Sequence, residues 1–246
     1  MKNNRKRHPI LLAVLIIIIA LIVGFGIWSQ DYYHADSTAL AALQGSDTVK
    51  VTEENGDYLF DGPGTDSALI FYPGAKVETS AYAPLMLKIA ESGMDCILVD
   101  MPLHFALLDF NAADSVMQEY HYKNWYLGGH SLGGASASMN LAAYIKKGDM
   151  PYSGMIYFAS YPSKDVTDAA IPVLLIYGTN DMDPEAIEEH KSYLPKDTEY
   201  AVIQGGNHAQ FGNYGLQKGD GTASITAEEQ QEKTVEAISA WDGLAS

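Results

Sequence analysis

The chain has 246 residues, a length that suits one well-buried domain and is short for two. Four of its 15 basic residues precede Pro9 and all 31 acidic residues follow it, which leaves the rest of the chain at 11 against 31, a net of −20, with no arginine. A surface so acidic makes nucleic acid a poor partner and disfavours polyanionic substrates, and the single cysteine, Cys96, excludes an intrachain disulfide.

The basic tail, residues 1–8, holds Lys2, Arg5, Lys6 and Arg7. Residues 9–29 follow as an apolar run with no charged side chain, long enough to span a bilayer core as a helix, and Trp28 fits the interfacial belt. An uncleaved anchor is the preferred reading. It makes the membrane a partner, with the basic flank in the cytoplasm and the remaining chain outside. The competing reading is a cleaved signal and a secreted protein; it fits less well, because a signal core is shorter and a small-x-small site follows it. Residues 30–46 read as a membrane-proximal stalk with a short helical stretch over Thr38–Leu43, and residues 47–246 as the folded domain.

From Thr48 the pattern is strand-like, with Asn55-Gly56 as a two-residue hairpin signal before Tyr58–Phe60. Ala68–Tyr72 is a continuous apolar run of buried-strand type, broken by Pro73-Gly74. A helix is predicted over Tyr82–Ile89, a buried strand over Cys96–Val99, and a helix within Phe105–His121. Strand-forming Tyr122–Leu127 leads to glycines, and Ser131–Lys147 is the helix behind them, stopped by Gly148 with Lys146 and Lys147 at the negative end of its dipole. Strands follow at Ser153–Phe158, Val173–Tyr177 and Glu199–Ile203. A helix over Asp183–His190 has Pro184 in its first turn, and Thr226 with Glu229 makes a capping box for a last helix reaching Trp241. Strands alternating with helices imply an α/β fold, a mostly parallel sheet covered on both faces with an antiparallel start.

Within Trp125–Ala135, WYLGGHSLGGA, the pattern G-x-S-x-G is Gly129, Ser131 and Gly133. A sharp strand-to-helix turn leaves little room two residues either side of the serine, which is why glycine is wanted there. Such a turn lifts the hydroxyl above the sheet edge and aims the first N–H groups of the next helix at the same spot.

On this stretch, together with FYPGAKVETSAYAPL (71–85) and ILVDMPLHFALLD (97–109), the chain resembles the alpha/beta-hydrolase superfamily. It is most similar to the lidless fold-5 type, near dienelactone-hydrolase-like and carboxylesterase-like proteins, with weaker echoes at LLIYGTND (174–181) and GGNH (205–208). The resemblance spans roughly residues 60–240. It implies a Ser–acid–His order along the chain. Many such hydrolases carry a lid between the strands that here end at Phe158 and restart near Ile171, where this chain has room only for a loop. Dienelactone hydrolases proper use cysteine as the nucleophile, so their substrate is not inherited by a chain with Ser131.

The order picks out Ser131 as nucleophile, Asp181 as orienting acid and His208 as base. Asp183 is the runner-up acid, although it suits the start of the next helix. Oxyanion donors are expected from the N–H of Leu132 and from the turn after Tyr72, with Ala75 first and Lys76 next; relatives often have His-Gly where this chain has Pro73-Gly74. Lys76, Met101, Leu103, His130 and Phe211 are candidate pocket residues, with core packing as the competing reading for several of them. No metal-ligand spacing and no dinucleotide fingerprint is present, so no cofactor is expected. The expected activity is hydrolysis of a small carboxylic ester through an acyl-enzyme. An amidase, peptidase or thioesterase with the same groups, and a catalytically silent binding protein of the same fold, are the alternatives.

Overall fold

The computed structural model describes residues 7–64 and 66–244. It has two compact units, one ending at Tyr32 and one running from Tyr33 onward. The first is a single helix, α1 (Arg7–Ser29), and within its stretch Pro9–Ser29 an 18-residue window has a mean hydropathy of 3.4 and is not buried. A helix apolar on every face has no polar side to give to water. Among the described residues it is the one helix long and apolar enough to cross a membrane. Residues 1–6 of the basic tail lie outside the described residues.

The second unit is built on an eight-stranded sheet in the order β1-β2-β4-β3-β5-β6-β7-β8. β1 (Lys50–Glu54) and β2 (Asp57–Asp61) form an antiparallel hairpin, and Asn55 (φ 55°) and Gly56 (φ 96°) make its turn in the left-handed region that this dipeptide favours. β2 pairs antiparallel with β4 (Asp95–Leu98). Every pairing from there is parallel, through β3 (Ser67–Tyr72), β5 (Asn124–His130), β6 (Tyr152–Phe158), β7 (Val173–Asn180) and β8 (Glu199–Asn207).

Alternate residues of the buried strands serve two cores. Leu69 and Phe71 pack with Leu85, Met86 and Ile89 of α3 (Ala83–Glu91) and with Ile238 of α7 (Ala227–Ser239). Ala68, Ile70 and Tyr72 pack on the other face with Val116 of α4 (Ala112–Glu119), Leu141 of α5 (Leu132–Lys147) and Ile187 of α6 (Pro184–His190). The chain leaves β3 for β4 on one side and returns to β5 on the other. That reversal opens a crevice beyond the carboxyl ends of the strands, where such sheets bind ligands. No helix or strand separates Phe158 from Val173, so no lid covers it there.

The expected elements are found, with two differences. The helix expected within Phe105–His121 is divided into a short turn, Ala106–Asp109, and α4. The residues leading into it, Leu103 (φ 55°) and His104 (φ 56°), are left-handed, and Phe105 is extended, which no continuous helix admits. The second difference is the stalk. From Tyr33 the chain belongs to the large unit. Tyr33 forms a parallel bridge with Val77, its N–H donating to Lys76 O at 2.7 Å. Asp36 N–H donates to Asn213 O at 2.8 Å, and the Asp36 side chain caps α2 (Ser37–Ala42), whose Ala39 is fully buried. Local periodicity marked α2 but gave no sign of the distant backbone it bonds to.

The packed residues 33–46 therefore contribute to stability. Removing everything before Asp47 is expected to lower the melting temperature by roughly 5–10 °C relative to a chain that begins at Tyr33, as read by differential scanning calorimetry.

Candidate active site

Ser131 stands between β5 and α5 with φ 53° and ψ −125°. A residue with a Cβ holds that conformation only when its surroundings enforce it. Here the enforcement is close packing. A Cβ on Gly133 would sit on the carbonyl oxygens of Tyr72 and Pro73, and one on Gly129 would lie 2.6 Å from the Gly133 carbonyl carbon. Ser131 N–H donates to Phe158 O at 3.0 Å, which ties the turn to the end of β6. Strain recurs along this edge: Lys76 follows β3, Leu103 and His104 follow β4, Ser131 follows β5 and Ala159 follows β6, all with positive φ.

Asp181 and His208 come from the ends of β7 and β8. His208 Nδ1 lies 3.1 Å from Asp181 Oδ1, and both side chains are buried. With its Nδ1–H donated to a carboxylate, the neutral ring carries a lone pair at Nε2. That nitrogen is buried and has no hydrogen-bond partner among the described residues. The backbone under His208 is held by the wholly buried Gln230 of α7: Asn207 N–H donates to its Oε1 (2.9 Å), and its Nε2 donates to Asn207 O (2.8 Å). Asp220 supports the loop from the other side, accepting from the N–H groups of His208 (3.1 Å) and Ala209 (2.8 Å). Burial pushes the Asp220 carboxyl above the usual carboxylate range.

A cavity of about 360 Å³ connects these groups. Ser131, His208 and Asp181 all line it, with Leu132 and Ala135 of α5 and Met182 after β7. Asp183 also lines it and accepts from Ala186 N–H at 3.0 Å, so it caps α6. Of the two candidate acids, Asp181 is thus the one bonded to His208. Among the described residues no cluster of His, Cys, Asp and Glu side chains is placed to hold a metal ion.

A sequence model described as the alpha/beta hydrolase family matches residues 68–232. The chain belongs to that family. Among solved structures, this α/β hydrolase is similar to an esterase/lipase from an uncultured bacterium, at 12% identity over 82% of this chain and 88% of the other, with a TM-score of 0.58. It is also similar to Est1E from Butyrivibrio proteoclasticus (16% identity, 78% and 100% covered, TM-score 0.53) and to a dienelactone hydrolase from Anabaena variabilis (15% identity, 80% and 99% covered, TM-score 0.54). At such identities the likeness shows the fold alone. A search of curated proteins found no match.

The expected pocket residues of this hydrolase are placed elsewhere. Met101 and Phe211 are buried in the two cores, and Leu103 is exposed at the surface outside the cavity. Lys76 N–H donates to His104 O at 2.8 Å, and Gly74 N–H donates to Tyr82 Oη at 3.0 Å. Of that turn, Ala75 lies between two amides already engaged.

His130 is the largest departure. It is a buried brace, not a pocket wall. Its Nε2 lies 3.0 Å from His208 O, so that nitrogen carries the proton; its Nδ1 is then an acceptor, 2.8 Å from Tyr82 Oη. Burial, then the charge of His208, holds its pKa well below the ordinary 6.5. The residues that sequence reasoning missed are Tyr82, Asp220 and Gln230, together with the cavity residues Ser160, Tyr161, Met182 and Ile187. Only the last group had a signal, their places just beyond strands or on the helix after the acid.

Two outcomes follow from this packing. Gly133→Ala is expected to destabilise the fold by about 3 kcal/mol through overpacking against β3, measured by denaturant unfolding. His130 also sets a pH dependence. Below about pH 6.5 the unfolded chain binds a proton that the folded His130 refuses, so stability falls as pH drops, by up to about 1.4 kcal/mol per unit from this group. A His130→Asn variant should be less stable at pH 7 and should lack that share of the slope. The comparison isolates it from Asp57, whose carboxyl burial pushes up to about 6 and which acts in the opposite direction.

Proposed function

We propose that this α/β hydrolase cleaves carboxylic esters, with Ser131 as nucleophile, His208 as general base and Asp181 as its orienting acid. The observation that carries the reading is the strained Ser131 turn opening on the same cavity as a buried imidazole whose Nε2 has no protein partner. Strain of this kind is retained where the geometry is used.

In this reading His208 Nε2 takes the hydroxyl proton as Ser131 Oγ attacks the ester carbonyl. Asp181 holds the ring by its Nδ1–H and stabilises the imidazolium that forms. The negative oxygen is met by the N–H of Leu132, which as the first residue of α5 has no acceptor within its own helix, and by the N–H of Ala75. His208 then returns its proton to the leaving alcohol. Water, deprotonated by the same nitrogen, releases the acyl group from Ser131.

Amides and thioesters would use the same groups. One of the similar structures is named as an esterase/lipase, which favours esters as the class. We also read α1 as an anchor that holds the hydrolase outside the cell membrane; a cleaved signal would release the same unit.

A fluorophosphonate probe is expected to label the chain once, at Ser131, and S131A is expected to lose labelling and at least about 10⁴-fold of p-nitrophenyl acetate turnover. An S131A protein, purified free of other esterases, that kept the parent rate would sink the assignment. A parent chain that turned over anilides and thioesters but no esters would move the class.

A further inference from the structure

The cavity beside Ser131 runs between the first turns of α5 and the ends of β6 and β7, and its wall is mostly hydrocarbon: Leu132, Ala135, Ala159, Tyr161, Met182 and Ile187. Two of the serines on it are already engaged. Ser160 Oγ donates to Ser131 O at 2.6 Å, and Ser163 Oγ donates to Ala135 O at 2.7 Å, so neither hydroxyl proton is offered to a ligand. Asp181 Oδ1 is engaged with His208, its Oδ2 is buried with no hydrogen-bond partner among the described residues, and Asp183 adds a second carboxylate to the lining. No lysine or arginine lines the cavity among the described residues.

We infer that the part of the substrate held in this cavity is an uncharged hydrocarbon chain, and that an ester carrying a carboxylate there is refused. The inference deepens the proposed function and rests on it. A carboxylate entering the cavity would lose its water, find no cation to pair with and meet carboxylates already present. A methylene chain loses no hydrogen bond and covers apolar wall. With about 30 Å³ for a water-sized group, 360 Å³ holds on the order of ten non-hydrogen atoms. That admits a medium-length chain and leaves no room for a long one without exposing its end.

The test uses the full chain in detergent and three measurements. First, p-nitrophenyl butanoate is compared with p-nitrophenyl hydrogen succinate, which has the same chain length and a terminal carboxylate. The anionic ester is expected to have a kcat/KM at least about 10-fold lower, and Asp183→Asn, which keeps a helix-capping side chain, is expected to narrow that gap. Second, Ala135→Leu, which fills the cavity wall, is expected to lower the ratio of hexanoate to acetate turnover by about 10-fold relative to the parent, a comparison in which partition into detergent cancels. Third, a small neutral fluorophosphonate reports whether Ser131 reacts at all. Labelling at Ser131 together with equal rates on the two four-carbon esters, or with an unchanged hexanoate ratio in Ala135→Leu, overturns the inference and leaves the hydrolase reading standing. No labelling at Ser131 overturns both.

Discussion

His130 donates from Nε2 to the carbonyl oxygen of His208 and accepts at Nδ1 from Tyr82, and the arrangement of the site depends on that pair of hydrogen bonds. Tyr82 in turn accepts from Gly74 N–H, so one unbroken line of polar contacts joins the turn after β3, the end of β5 and the loop after β8. The line works because the imidazole stays neutral. Were it charged, Nδ1 would carry a proton and Tyr82 would lose its acceptor. Burial prevents this, since an imidazolium there would have neither water nor a carboxylate bonded to it.

The rest of the site is held by opposed demands on one sheet edge. The strands deliver the chain to the crevice in extended form, and the helices need it turned back within one or two residues. Among the described residues, five of the six non-glycine residues with left-handed backbone lie in the segments that follow β3, β4, β5 and β6. Each costs on the order of 1–3 kcal/mol. The two buried cores offset that cost, gripping alternate residues of the same strands from both faces. Gln230 holds the last residue of β8 by bonding the backbone of Asn207 in both directions, as a neighbouring strand would.

Charge separates the chain into regions. The basic residues before Pro9 and the apolar α1 differ sharply from a unit that holds 30 of the 31 acidic residues and no arginine. Residues 33–46 belong to the large unit by hydrogen bonding and burial, so the change of character falls directly after α1 rather than across a spacer. The acidic balance reaches the cavity itself, whose lining carries Asp181 and Asp183 and, among the described residues, no lysine or arginine.

The sequence by itself determined what depends on near neighbours. Period-two and continuous apolar runs marked the strands. Asn55-Gly56 marked the hairpin, Thr226 with Glu229 marked the capping box, and Gly129 and Gly133 around Ser131 marked the strained turn, because each is a condition on backbone or packing within a few residues. The Asp181–His208 pair was legible from chain order, since each follows a strand at the sheet's carboxyl edge. Only the tertiary structure decided the roles that span long separations. His130 and His208 are 78 residues apart, Tyr82 and His130 are 48 apart, and Tyr33 reaches the loop at Lys218 across 185 residues. A histidine beside a serine reads the same in sequence whether it faces a pocket or a carbonyl oxygen. Which it does is set by the strand order and by burial, both of which depend on the whole chain.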